Sequence, residues 1–450
     1  MSKWVAAAAL LLVATGCGFG NEARSCTSNA ECNSVEHPGG VCEASTHLCS
    51  FPDTSCPDGF RYGGLAGDQS NQCVPGPGQG SNPIADAAID SKPPIDTAPP
   101  IDSPPDAQVC FGTGIVKVCL ASAPTGDLTS LGGTLDTTNS PLCAPLVSGG
   151  DLCVIAATTI TVQTALRAIG TKPLVLLASD TITTNAPIDV ASHRVAGADE
   201  LGAGADPVGL CSAGTAPQTA NGSSGGGAGG SFTGGGGNGG AGSDVNTAKG
   251  GAGGVAGTAN IIVTQLRGGC PGQKGAAAAS ADAGAAGHGG GAIFLLAGTS
   301  ITAQQTINAS GEGGGGGIAN VSGGGGGGTG GLIGFDAPTV VVNGLILANG
   351  GGGGEGSREA TGTGSAGGNG GEATSVAAAA GGGIIAFGGD GGSGSSGAAA
   401  GAGVSGIQGA IFGSSRGGGG GGGGGAGYVV ASQGAAFFNG VSPAQTIPAP

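Results

Sequence analysis

Large side chains are nearly missing from this 450-residue sequence: aromatics make up 3%, and methionine and tryptophan occur once each. A compact globule with a wide aromatic core is therefore excluded. Charge is also scarce, 9% of residues against about 25% in typical soluble proteins. Basic residues are the scarcer kind, Lys+Arg 13 against Asp+Glu 28, giving a net charge of −15. Nothing here would neutralise a phosphate backbone, so nucleic acid is excluded as a partner.

What is abundant is glycine, 107 residues, with an alanine-rich hydrophobic fraction of 38%. Any core is then thin and built from short Val, Ile and Leu strands.

The first residues read Met1-Ser2-Lys3-Trp4, an apolar run from Val5 to Val13, then Ala14-Thr15-Gly16-Cys17. One early Lys, a short apolar run and small residues before a cleavage point fit a signal peptide over 1–16, and the run is too short to span a bilayer. Ala14-Thr15-Gly16-Cys17 resembles the lipobox of bacterial lipoproteins, with Ala14 where that family usually carries Leu. The resemblance implies diacylglycerol on the Cys17 sulfur and a membrane partner reached through that lipid. Gly18 rather than Asp after it implies sorting to the outer membrane. Ordinary secretion with a free Cys17 is the competing reading. Removing Cys17 from the 13 cysteines leaves an even twelve, as pairing in an oxidising compartment requires.

Beyond a tether at 17–25, six cysteines crowd into 26–73: Cys26, Cys32, Cys42, Cys49, Cys56 and Cys73. Too few apolar residues accompany them to build a core, so cross-links supply the stability, and six cysteines leave fifteen pairings open. Zinc is the alternative, but paired C-x₂-C knuckles are missing and His37 and His47 are not at finger spacing. Residues 74–109 form a Pro/Asp-rich linker in which Ile89-Asp90-Ser91-Lys92-Pro93-Pro94 recurs as Ile95-Asp96-Thr97-Ala98-Pro99-Pro100 and Ile101-Asp102-Ser103-Pro104-Pro105. Proline pairs favour polyproline II, which makes this a spacer of up to about 110 Å. A docking motif for a proline-reading domain is the other use.

From 110 to 450, strand-like runs alternate with glycine tracts, and the runs repeat. Aligned at a shift of 22 and then over the later runs, they give four apolar columns: Cys153, Val175, Phe294, Ile333; Ile155, Leu177, Leu296, Phe335; Ile160, Ile182, Ile301, Val340; and Leu166, Ile188, Ile307, Ile346. The expected fold is all-β, a parallel β-helix-like solenoid with glycine-rich insertions, preceded by the disulfide-rich module. Each strand is expected to bury one face. Tracts following Gly311 and Gly350 occupy the same point of the repeat and should leave from one corner. They are either mobile loops or extended glycine rods, and partial order is the expectation. Cys110 with Cys119 and Cys143 with Cys153 are plausible closures, and Cys211 with Cys270 would clamp the longest insertion. The order lipobox, Cys-rich head, Pro/Asp spacer and glycine-rich coils resembles the cysteine- and glycine-rich predicted surface lipoproteins of myxobacteria and related gliding bacteria. That resemblance carries no known activity.

Catalytic motifs are matched only at the level of composition. Two G-x-S-x-G stretches surround Ser224 and Ser415, but a nucleophile elbow needs a strand before, a helix after and a later His; no His follows Ser415, and Ser224 sits in a glycine tract with no helical periodicity. Gly287-His288-Gly289 lacks the companion carboxylates of a polygalacturonase, and Arg267 or Lys274 alone makes no lyase base. Gly272-Gln273-Lys274-Gly275 is no phosphate loop, and Gly388-Gly389-Asp390-Gly391-Gly392 reads as a turn rather than a calcium repeat. No motif calls for a cofactor. Thr159 and Thr161, Thr181 and Thr183, Ser300 and Thr302, then Thr339 should form a hydroxyl ladder, which suits ice or sugar but also any exposed strand. The function expected is a non-catalytic structural or adhesive role at the cell surface, with extracellular polysaccharide or matrix as partner. The alternative is a carbohydrate-binding or carbohydrate-active (lyase or hydrolase) protein.

Overall fold

The computed structural model describes residues 108–446 apart from 196–198, 261, 360–365, 384, 386, 398–399, 413–414 and 445, together with residues 26, 32, 40–43, 46–53, 56, 59–63 and 72–75. The signal segment, Cys17 and linker positions 76–107 lie outside the described residues. The chain divides into two compact units, Met1–Pro100 and Ile101–Pro450.

In the first unit β1 (Val41–Cys42), β2 (Cys49–Pro52), β3 (Gly59–Tyr62) and β4 (Cys73–Pro75) form an antiparallel sheet in chain order. Its apolar cluster is small, Tyr62 and Val74 with Leu48 and Phe60 against them. Disulfides Cys26–Cys42, Cys32–Cys49 and Cys56–Cys73 tie the strands to their flanks and take up all six described cysteines of this unit.

The second unit is all-β; among its described residues the only helical piece is a 3-10 turn at Ser280–Asp282. It opens with a hairpin of β5 (Val109–Phe111) and β6 (Val118–Leu120), bridged by Cys110–Cys119. Then come β7 (Asp127–Asp136), β8 (Cys153–Ile169), β9 (Leu174–Thr184), β10 (Ile188–Asp189) and a small antiparallel pair, β11 (Thr219–Ala220) with β12 (Ser223–Ser224). β13 (Ala292–Ala297), β14 (Ser300–Ala303) and β15 (Ile307–Asn308) follow, then β16 (Leu332–Asp336), β17 (Thr339–Val342) and β18 (Ile346–Leu347). A second small pair, β19 (Ile411–Phe412) with β20 (Ser415–Arg416), precedes β21 (Tyr428–Ala431), β22 (Ala436–Phe437) and β23 (Val441–Ser442).

Thirteen strands join in one parallel sheet that the chain builds by successive passes, in a solenoid-like manner. Each pass contributes to three ladders. The first runs from the start of β8 through β9, β13, β16 and β21. The second joins β7, the middle of β8, the end of β9, β14, β17 and β22. The third joins the end of β8, β10, β15, β18 and β23.

Two of the four expected columns stand in register, Ile160–Ile182–Ile301–Val340 and Leu166–Ile188–Ile307–Ile346. The other two need correction. In the first ladder Cys153 pairs with Leu174 rather than Val175, and Phe294 with Gly334 rather than Ile333. Likewise Ile155 pairs with Leu176, and Leu296 with Asp336. The causes are corners of unequal length: the step from Ala157 to Thr159 is two residues where the matching step from Ala178 to Thr181 is three, and the step from Leu296 to Ser300 is four where that from Asp336 to Thr339 is three. A slip of one residue turns a side chain to the opposite face. Cys153, Leu174, Ile293, Ile333 and Val429 point inward, while Val154, Val175, Phe294 and Val430 point outward.

The expectation of one buried face per strand also fails in this ladder. Its outer face is covered by Val116, Val118 and Leu120 on one side and by Phe232 and Leu266 on another, so every residue of β13 is buried. With both faces covered, the run loses its alternation, as central strands do.

Three long insertions leave the third ladder and rejoin the first: 190–291, 309–331 and 348–427. They share one corner, and their tracts lock together into a single bundle of extended rods. Within 323–330 the backbone N–H groups donate in rotation. Gly323, Gly326 and Thr329 reach the carbonyls of Ala276, Gln273 and Cys270; Gly324, Gly327 and Gly330 reach Gly419, Gly422 and Gly425; Gly325 and Gly328 reach Gly315 and Glu312. A period of three is that of a polyproline II helix, which has no internal hydrogen bonds and turns its amides outward. The rod also accepts, from Gly227 and Gly230, from Gly284, Gly287 and Gly290, and from Gly351 and Gly354. It therefore has six bonded neighbours. The 417–427 rod has six as well, bonding to 224–230, 234–243, 323–330, 348–357, 388–395 and 401–407.

Glycine is needed here for closeness. None of Gly323 to Gly328 has a positive φ, yet a Cβ on any of them would fall 1.8–2.1 Å from a neighbouring carbonyl oxygen. Rods surrounded on all sides are thus almost wholly glycine, with Thr329 the one exception in 323–330 and Ala426 in 417–427. At the edge, a Cβ at Gly403, Gly406 or Gly409 would fall 2.1–2.2 Å from a carbonyl oxygen, while Val404 and Ile407 between them project to solvent. Among the described residues the tracts are accordingly packed rods rather than loops, their amides paired largely with carbonyls of neighbouring rods.

Candidate functional site

A chain with so few charges gathers ten of them where the insertions leave the sheet: Arg167, Asp189, His193, Arg194, Asp199, Glu200, Asp206, His288, Glu312 and Glu372. The sheet supplies Arg167 from β8 and Asp189 from β10, whose register sets them side by side at 3.4 Å. Chain leaving β10 supplies His193 and Arg194, and the rods bring His288, Glu312 and Glu372.

The His193 ring bridges two carboxylates, Nε2 to Asp189 at 2.8 Å and Nδ1 to Glu372 at 2.7 Å. The hydrogen bond to Asp189, then that to Glu372, outweigh burial and raise its pKa to about 9. Burial pushes the Asp189 carboxyl up, but His193 and Arg167 overcome it and hold it below the usual value. Arg194 spans the cluster: its guanidinium lies 2.5 Å from Glu312 and 3.3 Å from Asp199 and donates to the carbonyls of Ala286 and Gly313. Its backbone N–H donates to Glu372. Glu312 has no solvent exposure, and burial raises its carboxyl to about 7 despite Arg194. His288 is held by Asp206 at 2.5 Å, with Asp199 at 3.7 Å, and its pKa is raised, chiefly by the bond to Asp206.

Asp199, His288 and Glu312 each offer a ligand atom within 4.8 Å of the others, a spacing a metal could use. The Arg194 guanidinium already stands against both carboxylates, so a cation would have to displace it. The fully buried Glu312 cannot exchange protons directly with a substrate. What the arrangement does is fasten the sheet corner to the rods through charge-assisted hydrogen bonds.

Residues singled out by motif fall elsewhere or serve otherwise. Ser224 is buried and shares a hydrogen bond with Thr219, and Ser415 sits in β20 of the small hairpin. Gly388 to Gly392, expected as a turn, is part of a rod that donates from Gly389 and Gly392 to Gly418 and Gly421. Gly272 and Gly275 belong to another rod, and the Lys274 ammonium meets Ser280. Cys143–Cys153 joins β8 to the segment before it, and Cys211–Cys270 spans the first insertion. Thr159, Thr181, Ser300 and Thr339 fall in one row of the second ladder, and Thr161, Thr183 and Thr302 in the next.

Sequence reasoning did not find the charged cluster. The available signal was rarity: His193-Arg194 and Glu312 are charges set among glycine and alanine, and only pairing explains their burial. No protein-family profile matches the chain, and no curated protein or solved structure shows significant similarity to it.

Proposed function

We propose that this chain is an exported, lipid-anchored protein of the cell envelope whose larger unit is a rigid, non-catalytic body with a structural or adhesive role at the surface. The observation that carries this reading is the rod bundle. Tracts that could have been mobile active-site loops are bonded to as many as six neighbours and packed to backbone contact. The densest charge on the unit is spent on internal pairing. The stacked passes are read as coils of a parallel β-helix, with the bundle raised on one corner. Ala14-Thr15-Gly16-Cys17 supports lipidation of Cys17, and the likeness to myxobacterial surface lipoproteins supports the outer membrane as its site.

Cells expressing the full chain, fed labelled palmitate and then treated with protease while intact, test the proposal. The expected result is a labelled protein degraded from outside, with label lost in Cys17→Ser. An unlabelled chain, or one sheltered from protease, defeats it. The second reading, carbohydrate binding, is favoured by seven hydroxyls in two rows on the outer side of the second ladder. Strands there are about 4.8 Å apart.

A further inference from the structure

Among the described arginines, Arg61, Arg167, Arg194 and Arg416 each meet a carboxylate. Arg267 is the most buried, 7% exposed, and has no carboxylate within ion-pair distance among the described residues. Its guanidinium carbon lies 4.4 Å over the Phe232 ring. Nε donates to Gly268 O, Nη1 to Leu210 O at 2.6 Å, and Nη2 to the disulfide sulfurs of Cys270 at 2.7 Å and Cys211 at 3.5 Å. A ring, two carbonyls and a disulfide hold the group in place but leave its charge uncompensated. Burying an unpaired cation is costly, and its pKa falls to about 10 through desolvation alone.

This guanidinium lines a cleft of two adjoining cavities, about 320 and 250 Å³, which share Leu210, Phe232, Asn260 and Arg267. Thr258 and Asn260 line it as well, and neither Thr258 Oγ1 nor Asn260 Nδ2 has a hydrogen-bond partner among the described residues. Leu210 and Ile262 leave an apolar rim, 44% and 71% exposed. One fixed cation, free hydroxyl and amide groups and an apolar edge match an acidic sugar. The oxyanion meets Arg267, the ring hydroxyls meet Thr258 and Asn260, and a C–H face lies on Leu210 and Ile262.

We propose that this cleft binds a sugar residue bearing an oxyanion, a carboxylate or a sulfate, through Arg267. The site goes beyond the envelope role and does not depend on the lipid, so palmitate labelling and sugar binding can fail separately.

Calorimetric titration of the full chain with galacturonate, galactose 6-sulfate, galactose and inorganic sulfate tests it. At least one charged sugar is expected to bind saturably and at least about tenfold more tightly than galactose, the worth of one hydrogen bond to a charged group. Galactose 6-sulfate binding with galacturonate silent identifies a sulfate ester, and the reverse identifies a uronate. Arg267→Gln should abolish binding. Because that change could also unfold the insertion, Asn260→Ala, at the open side, should weaken binding several-fold with an unchanged circular dichroism spectrum. Saturation should also shift the Arg267 side-chain N–H resonance. Silence of both charged sugars, undiminished binding by Arg267→Gln, or inorganic sulfate binding as tightly as the sugars would overturn the proposal.

Discussion

Gly334 lies opposite Phe294 in the first ladder, and a Cβ on Gly334 would fall 2.2 Å from the Phe294 ring. The ring belongs to the covered outer face, where it packs with Val175, Leu332 and Val430 and has no room to yield. Gly334→Ala should therefore destabilise the unit by about 1–3 kcal/mol, the usual cost of overpacking. Denaturant unfolding checks this, and a neutral result would mean that the outer cover is loose.

Rod glycines should differ by position. A Cβ at Gly421 would lie 1.9 Å from Gly325 O, whereas at Gly235 it would meet nothing within 4 Å. Gly421→Ala should lower the melting temperature clearly, and Gly235→Ala should leave it nearly unchanged. Equal effects would count against the packed bundle.

Stability should be greatest in mild acid. His193 and Glu312 both have pKa values raised above their ordinary 6.5 and 4.5, to about 9 and about 7, so the folded chain holds their protons more tightly. Their contribution is fully present below the ordinary values and is lost as pH rises through the raised ones. Asp189 is lowered from 3.8, so its contribution is present above that value and lost as pH falls through its folded pKa. Melting temperature should thus peak at about pH 4–5 and fall towards pH 9. His193→Gln should be less stable than the parent at pH 6, with the gap closing by pH 9; a gap that widens would contradict the assignment.

The Cys211–Cys270 disulfide closes a separation of 59 residues around the first insertion. Replacing both cysteines by alanine should cost about 2–5 kcal/mol. Tryptic cleavage at Lys249, whose side chain is 85% exposed, should accelerate with it. Unchanged cleavage would show that the rods alone hold the insertion.

The second and third ladders were legible in the sequence because their strands keep an inward aliphatic residue against an outward hydroxyl or polar one, as in Ile182 between Thr181 and Thr183. The first ladder was not. Leu174 to Ala178 and Ala292 to Ala297 are apolar throughout, so nothing in the string distinguishes inward from outward, and the unequal corner at Thr158 is invisible. The bundle was half legible: runs of glycine mark rods, but which carbonyl each amide meets depends on segments as distant as Gly227 and Gly422. The charged cluster escaped for the same reason, since Glu312 and Glu372 meet Arg194 and His193 only once the rods are stacked.

The rods also set a rule for changes of length. With three residues per turn, removing Gly325-Gly326-Gly327 would shorten one rod by a turn and keep each later amide aimed at its former neighbour. Losing one glycine instead would rotate the remainder by a third of a turn, sending every donor towards the wrong carbonyl. Length changes of three residues in a rod should therefore leave the bundle intact, and changes of one or two should disrupt it.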